Sequence, residues 1–490
     1  MMNGLQSLTQ WNDYFGKPSA TLLGTMNAMY PVGKILGVPI VTYLNDRFGR
    51  TFPLRIGLPF LLFAAAIQGS AQNVGWFIAG RFLVGIGTVF VAQPSPILVT
   101  ELAYPVHRGR ITGIYYASNV SAKGAPETEL VFSQLTPWQY LGTLIAAWIT
   151  YGTFRMAGNW SWRIPSLLQA ACPFIQCLGV YFLPESPRWL IGHGKSNEAR
   201  EVLVKYHAGG DTSSPLVDFE MAEMEASIRL EKESLSQTSY LDLLRTAPNR
   251  KRSFISLTIG IYSYWAGAGI ISYYLHLVLN TIGITAVSLQ TLVNGLLAIM
   301  NFIVAICAGL LVDRAGRRLL FLLSASGMLL SFVIWTILSA RFSMSKDTGL
   351  GKGVVAFVFI FFFFFQVAFA PFFLGYPVEI WPYMLRARGV SVTLFGSWGG
   401  LLIGQFVTPI GLLNIGWKYY IVFCVLLALF WFIVYFTFPE TRGRTLEEIN
   451  DIFEGTTLKE DSEVSVASEP QGSEKRDEKV EGAHIEATLK

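Results

Sequence analysis

The chain has 490 residues and a formal net charge of +4. A charged fraction of 14%, where soluble domains carry roughly a quarter, and a mean hydropathy of +0.44 exclude an ordinary water-soluble globule. Cys172, Cys177, Cys307 and Cys424 all lie in apolar runs and the five histidines show no ligand spacing, so a disulfide framework, a metal site and a cofactor are not expected.

Residues 1–12 lack the basic start and apolar core of a cleavable signal. At about 20 apolar residues per bilayer crossing, spans are expected at 21–44, 52–71, 74–99, 140–154, 162–183, 254–279, 286–312, 319–340, 354–378, 390–413 and 419–438, eleven in all, with 140–154 short. The first two are joined by Asn45-Asp46-Arg47-Phe48-Gly49-Arg50, and Asp313-Arg314-Ala315-Gly316-Arg317-Arg318 joins two more in the second half. Two further phrases double. Glu101 with Arg108-Gly109 answers to Glu379 with Arg386 and Arg388-Gly389, and Pro184-Glu185-Ser186 answers to Pro439-Glu440-Thr441. Charged phrases repeated at equivalent points of two apolar halves indicate a duplicated, all-α polytopic membrane transporter.

Between the halves, residues 191–252 form a polar linker. Within it, 197–207 and 217–233 carry apolar residues at helical spacing, as amphipathic helices would. The domain plan is therefore an N-terminal bundle over 1–190, the linker, a C-terminal bundle over 253–453, and a tail over 454–490 whose Ser, Glu and Lys content favours disorder. Lys and Arg collect on one side, at Arg47 and Arg50, Arg108, Arg188 and the linker, Arg314 to Arg318, Arg386 and Arg388, and Arg442. That side is expected to be cytoplasmic, with the C-terminus, in a multi-pass protein of the plasma membrane. Asn159-Trp160-Ser161 then falls outside as a glycosylation sequon at Asn159.

In each turn the aspartate can accept from N–H groups of the next helix or pair with an arginine nearby. Glu101 and Arg108, and Glu379 with Arg386 and Arg388, would act with Glu185, Arg188, Glu440 and Arg442 as a charge network tying the halves together, broken and remade as a gate. Two cations sit inside spans, where an unpaired charge costs about 2.5–3.5 kcal/mol on insertion scales. Arg81, amid Gly80, Gly85 and Gly87, is expected to pair with a carboxylate such as Glu101, and Lys34 either snorkels or faces the solute path. No nucleophile–base pair, phosphate loop or metal cluster points to an enzyme, and nothing points to nucleic acid.

These phrases also carry a resemblance. Asp46-Arg47-x-Gly49-Arg50, Gly80-Arg81…Gly85-x-Gly87, Pro96…Glu101…Arg108-Gly109, Pro184-Glu185-Ser186-Pro187-Arg188, Gly309…Asp313-Arg314-x-Gly316-Arg317-Arg318 and Pro439-Glu440-Thr441-Arg442-Gly443 together resemble the sugar porter family of the major facilitator superfamily. The stretches around Glu101 and Tyr376-Pro377-Val378-Glu379 resemble its fungal lactose-permease and cellodextrin-transporter branch. The resemblance implies twelve helices in two pseudo-symmetric bundles and alternating access of a sugar, in many members with protons, to a central cavity. It also implies substrate contacts. Asn301 matches a sugar-contacting asparagine and Trp398 a stacking tryptophan, while Lys34, Asn294 and Gln405 could line the cavity. Tyr264 stands where glutamine is usual and Ala268 where asparagine is usual, so Tyr264 and Trp265 would make a flatter, more aromatic site. That departure keeps open a carrier of a non-sugar metabolite, for instance an exporter, and a nutrient sensor built on the same fold.

Two departures concern the chain itself. The family's opening helix is missing, with residues 1–6 resembling its outer end, which suggests that Met1 is an internal methionine. Residues 120–139 interrupt an expected helix with Gly124, Pro126 and Pro137. Glu101 to Pro184 spans 184 − 101 = 83 positions, against 439 − 379 = 60 for the repeat, so a retained in-frame intron of twenty codons is expected, the rival being a real insertion that forms a short lid.

Overall fold

The computed structural model describes residues 2–103, 137–237, 239–382, 385–442 and 446–454. Within these every regular element is a helix. In the N-terminal half they are α1 (Met2–Gln6), α2 (Thr9–Tyr14), α3 (Ala20–Phe48), α4 (Thr51–Gly69), α5 (Val74–Ala92), α6 (Pro94–Leu102), α7 (Pro137–Thr153), α8 (Trp160–Leu168) and α9 (Ala171–Val180). The linker forms α10 (Pro187–Gly192), α11 (Ser196–His207), α12 (Pro215–Gln237) and α13 (Asp242–Arg245). The C-terminal half has α14 (Ala247–Trp265), α15 (Ala268–Thr281), α16 (Val287–Ala315), α17 (Arg317–Ser345), α18 (Thr348–Ile380), α19 (Arg386–Ile415), α20 (Tyr419–Thr437) and α21 (Leu446–Glu454).

Among the described residues, seven helical stretches are long and apolar enough to cross a membrane. One of them, Arg388–Thr437, runs for 50 residues. At about 1.5 Å per residue it is long enough for two crossings, and it breaks at Gly416, where a short 3-10 turn separates α19 from α20. Three expected spans are divided, each for a local reason. The stretch 74–99 splits at Gln93 because Pro94 can only open a new helix. The stretch 162–183 splits between α8 and α9, where Pro173 has no N–H to carry the ladder across the junction. The stretch 254–279 splits at Gly267, whose φ of +105° is left-handed.

Two seams join the halves, α3 against α19 and α7 against α16. A Cβ on Gly24 would stand 3.0 Å from the Gln405 carbonyl, so small residues bring these backbones together. The same device operates inside the N-terminal half, where a Cβ on Gly85 would stand 2.3 Å from the Tyr30 carbonyl. The C-terminal half has a continuous aromatic core through Phe321, Phe332, Trp335, Phe361, Tyr376 and Phe430. The linker closes its own small core with Leu203, Val204, Val217 and Met224. The interrupting segment lies outside the described residues up to 136, and Pro137 opens α7. The tail beyond Glu454 also lies outside them.

Candidate functional site: two charge clusters and a kinked helix between cavities

The repeated turns fold alike because each glycine frees the chain for a conformation that other residues rarely adopt. Gly49 has φ +97° and Gly316 φ +83°. A Cβ there would come within 2.4 Å of the Glu185 carboxylate or 2.9 Å of the Glu440 carboxylate. Glu185 accepts from the N–H of Arg50 (2.7 Å) and of Thr51 (3.1 Å) and from the Thr51 hydroxyl (2.6 Å), capping α4. Glu440 accepts from the N–H of Arg317 (2.9 Å) and Arg318 (3.0 Å), capping α17. Both are carboxylates at a helix N-terminus, where unpaired N–H groups and the helix dipole favour negative charge.

The arginine after each glycine reaches a glutamate at the end of another helix. Arg50 Nε lies 3.4 Å from Glu101, and Arg317 lies 3.2 Å from Glu379, whose other oxygen accepts from the Thr441 hydroxyl at 2.6 Å. The expected cap role of the aspartate is taken by these glutamates. Asp46 stays exposed, 3.6 Å from Arg50, because the turn carries it outward while the chain after α9 delivers Glu185 to the helix end.

Each described ion pair lies within one half or within the linker. Several expected members point elsewhere. Arg47 donates to Tyr43, Arg188 to Ser227 of the linker, and Arg318 to the Tyr435 carbonyl, while Arg388 lies over the Tyr240 ring and Arg442 offers its backbone N–H to Glu440. Arg386 opens α19. Arg108 and the side chains of Asp313 and Arg314 lie outside the described residues. Arg81 is buried but does not meet Glu101, which Arg50 holds. Its Nε donates to the Met26 carbonyl at 3.4 Å and its guanidinium covers the Tyr30 ring at 5.1 Å. Asn159 precedes α8 beside the exposed Trp160.

The decisive element at the contact of the two halves is the broken helix α14–α15, interrupted at Gly267 and kinked again at Tyr274 (φ −132°, ψ 24°). Discontinuous helices at a repeat interface mark binding sites in membrane carriers because their freed backbone groups need polar partners. The Tyr274 hydroxyl accepts from Asn27 of α3 at 3.0 Å and donates to Gln405 of α19, 2.8 Å from its carbonyl and 2.9 Å from Oε1. One phenol thus knots both halves. Short α1 extends the knot, with Gln6 on Asn27 (3.1 Å) and Asn3 on the Ile271 carbonyl (3.3 Å) and on Asn294 (3.0 Å).

Adjacent tyrosines of the kink face different cavities. Tyr273 lines one of about 310 Å³ with Tyr30, Arg81, Thr88 and Gln169. Tyr274 lines a mostly apolar one of about 150 Å³ with Tyr264, Trp265 and Gln405. Of the expected substrate residues, the structure gathers Tyr264, Trp265 and Gln405 in the smaller cavity. Lys34 stands by the larger one, 4.6 Å over the Tyr30 ring, and Asn294 sits on the seam with α1. Asn301 is buried and Trp398 half-buried, and neither lines these two cavities. Trp265 has its indole N–H committed to the Gly400 carbonyl at 2.9 Å.

Sequence reasoning missed Asn27, Tyr30, Tyr140 and Gln366, the last two bonded at 2.6 Å across the halves. Their signal was available. An amide or phenol inside an apolar span needs a partner, and Tyr30 stands one helical turn from Lys34.

A family model described as sugar (and other) transporter matches residues 2–122 and 130–453, passing over 123–129 inside the interrupting segment. An MFS-type transporter, oryC, of Aspergillus oryzae is 30% identical over 90% of this chain and 79% of its own length. A high-affinity glucose transporter of Kluyveromyces lactis is 26% identical over 92% and 81%. Among solved structures, the inward-open xylose transporter XylE from E. coli superposes with a TM-score of 0.67 at 20% identity, covering 92% of this chain and 96% of that one. With its multi-pass helical fold, its doubled charge clusters and its broken helix between the halves, this chain belongs to the sugar (and other) transporter family and is a major facilitator sugar porter.

Proposed function

We propose that the chain carries a sugar or sugar-sized solute across the plasma membrane by alternating access, the halves rocking about the α3–α19 and α7–α16 seams. The observation that carries this reading is the Tyr274 knot. It is a hydrogen-bonded closure made across the two halves by a kinked helix whose adjacent tyrosines line the two cavities. Around it Tyr30, Arg81, Tyr140, Gln169 and Gln366 offer the donors and acceptors that a desolvated polyhydroxylated solute requires. On this reading the two charge clusters are the gate by which each half is held rigid as it moves. The relatives named as glucose transporters support a sugar.

A second reading, a non-sugar metabolite with a flat apolar body, is favoured by Tyr264 and Trp265 in a nearly apolar cavity. Uptake of labelled glucose, lactose and cellobiose into a transporter-null yeast expressing the chain decides between them. Saturable uptake lost in Tyr274→Ala supports the sugar reading, and no uptake of any of the three removes it. Loss of accumulation on adding an uncoupler, with exchange retained, marks proton coupling.

A further inference from the structure

We propose that the smaller cavity is a membrane-facing site for a flat apolar ring bearing one carbonyl, whose oxygen accepts from the Gln405 side-chain amide. The site does not depend on which solute is carried: binding is read on the protein itself, carriage by uptake. The cavity lies between α14–α15, α19 and α20, and Ile403, Val407 and Val422 are the lining residues exposed at its rim. Val422 starts an apolar strip on α20 that continues through Val425, Leu429, Phe432 and Phe436, all exposed and three or four residues apart. On a helical stretch apolar enough to cross a membrane, such a strip faces hydrocarbon, so the mouth beside it opens to the bilayer.

Size and walls select a ring. At about 150 Å³ the cavity has the volume at which a dry apolar void accepts one benzene-sized molecule. Trp265 and Phe423 supply aromatic walls, against which a second ring packs edge-on or offset. Gly404 supplies a wall of bare backbone, and a Cβ there would meet nothing within 4 Å.

One polar group decides what the ring must carry. Gln405 is only 2% exposed, and its carbonyl and Oε1 both accept from the Tyr274 hydroxyl. Among the described residues none accepts from its Nε2, and that atom is not sealed off by packing, so its N–H groups open into the cavity that Gln405 lines. The other polar side chains of the wall have partners. Tyr274 takes a bond from Asn27, Trp265 donates to the Gly400 carbonyl, Tyr264 bonds Ser397 and Thr408 bonds Tyr419. One amide does not hold a water, which needs two to four polar partners. A carbonyl only accepts, so it satisfies Nε2 and brings no hydrogen that would itself go unpaired, whereas a phenol brings one and a lipid tail offers no acceptor. Because Gln405 belongs to the Tyr274 knot, a carbonyl on Nε2 holds the amide with Oε1 turned to Tyr274. The filled cavity therefore favours the knotted state.

The test uses the full chain in lipid nanodiscs with 4-fluoroacetophenone, whose carbonyl couples to nearby C–H bonds under near-ultraviolet light, the labelled residues being located by mass spectrometry. The wild type should label saturably within residues 401–408 and 419–426. The same ring without the carbonyl, 4-fluoroethylbenzene, should compete about 5–10-fold more weakly, the worth of one hydrogen bond, and Gln405→Met should weaken labelling by about the same factor. Gly404→Phe, which sets a ring of its own in the cavity, should abolish it. Labelling that fails to saturate and spreads along the exposed strip of α20, or a hydrocarbon that competes as well as the ketone, overturns the proposal. Both of those outcomes are read on the unsubstituted chain, so they hold even where a substitution disturbs folding.

Discussion

Replacing Glu185 with alanine is the sharpest perturbation of the doubled architecture. The carboxylate receives three hydrogen bonds from the first turn of α4, two from N–H groups and one from the Thr51 hydroxyl, at 2.6–3.1 Å. Each is worth about 1 kcal/mol net, more when the acceptor is ionised, and the site is only part-buried, so the loss is about 3 kcal/mol. For a unit of 150–250 residues about 1 kcal/mol lowers Tm by about 2–4 °C, so Glu185→Ala should lower it by about 6–12 °C. Glu440→Ala, which removes the matching cap from α17, should cost about as much, and the two losses should add because the sites share no partner. Glu185→Gln, keeping one acceptor oxygen, should lose roughly half. The assay is fluorescence-detected thermal unfolding in detergent, with the exposed Glu201→Ala as control. Shifts of no more than about 1 °C for both glutamates would refute the cap argument.

Tyr274→Phe leaves Asn27 and Gln405 without their shared phenol across the seam. It should move the balance between the two openings by about 5–30-fold, at about 1–2 kcal/mol, read as a shift in the proportions of the two openings by pulsed dipolar spectroscopy between spin labels on exposed positions of the two halves. Gly85→Ala forces a Cβ to within 2.3 Å of the Tyr30 carbonyl and should separate α3 from α5, costing about 1–3 kcal/mol in thermal stability, whereas Gly142→Ala, with open space around it, should be neutral.

Much of the fold is written in local sequence. Apolar length sets the crossings, and Pro94, Pro173 and Gly267 set the breaks, because backbone hydrogen bonding inside a span has few alternatives. The paired turns could likewise be read as a repeat. Which acid caps which helix could not. Asp46 and Glu185 are both near enough in principle, and the choice depends on where the end of α9 returns to the α3–α4 turn.

The sequence by itself determined that this is a duplicated helical carrier, since period, span length and repeated charge are one-dimensional signals that the bilayer enforces. Tertiary structure alone decided the site. Asn27, Tyr274 and Gln405 lie far apart in the chain, and a phenol or amide inside an apolar run shows only that it needs a partner, never which one.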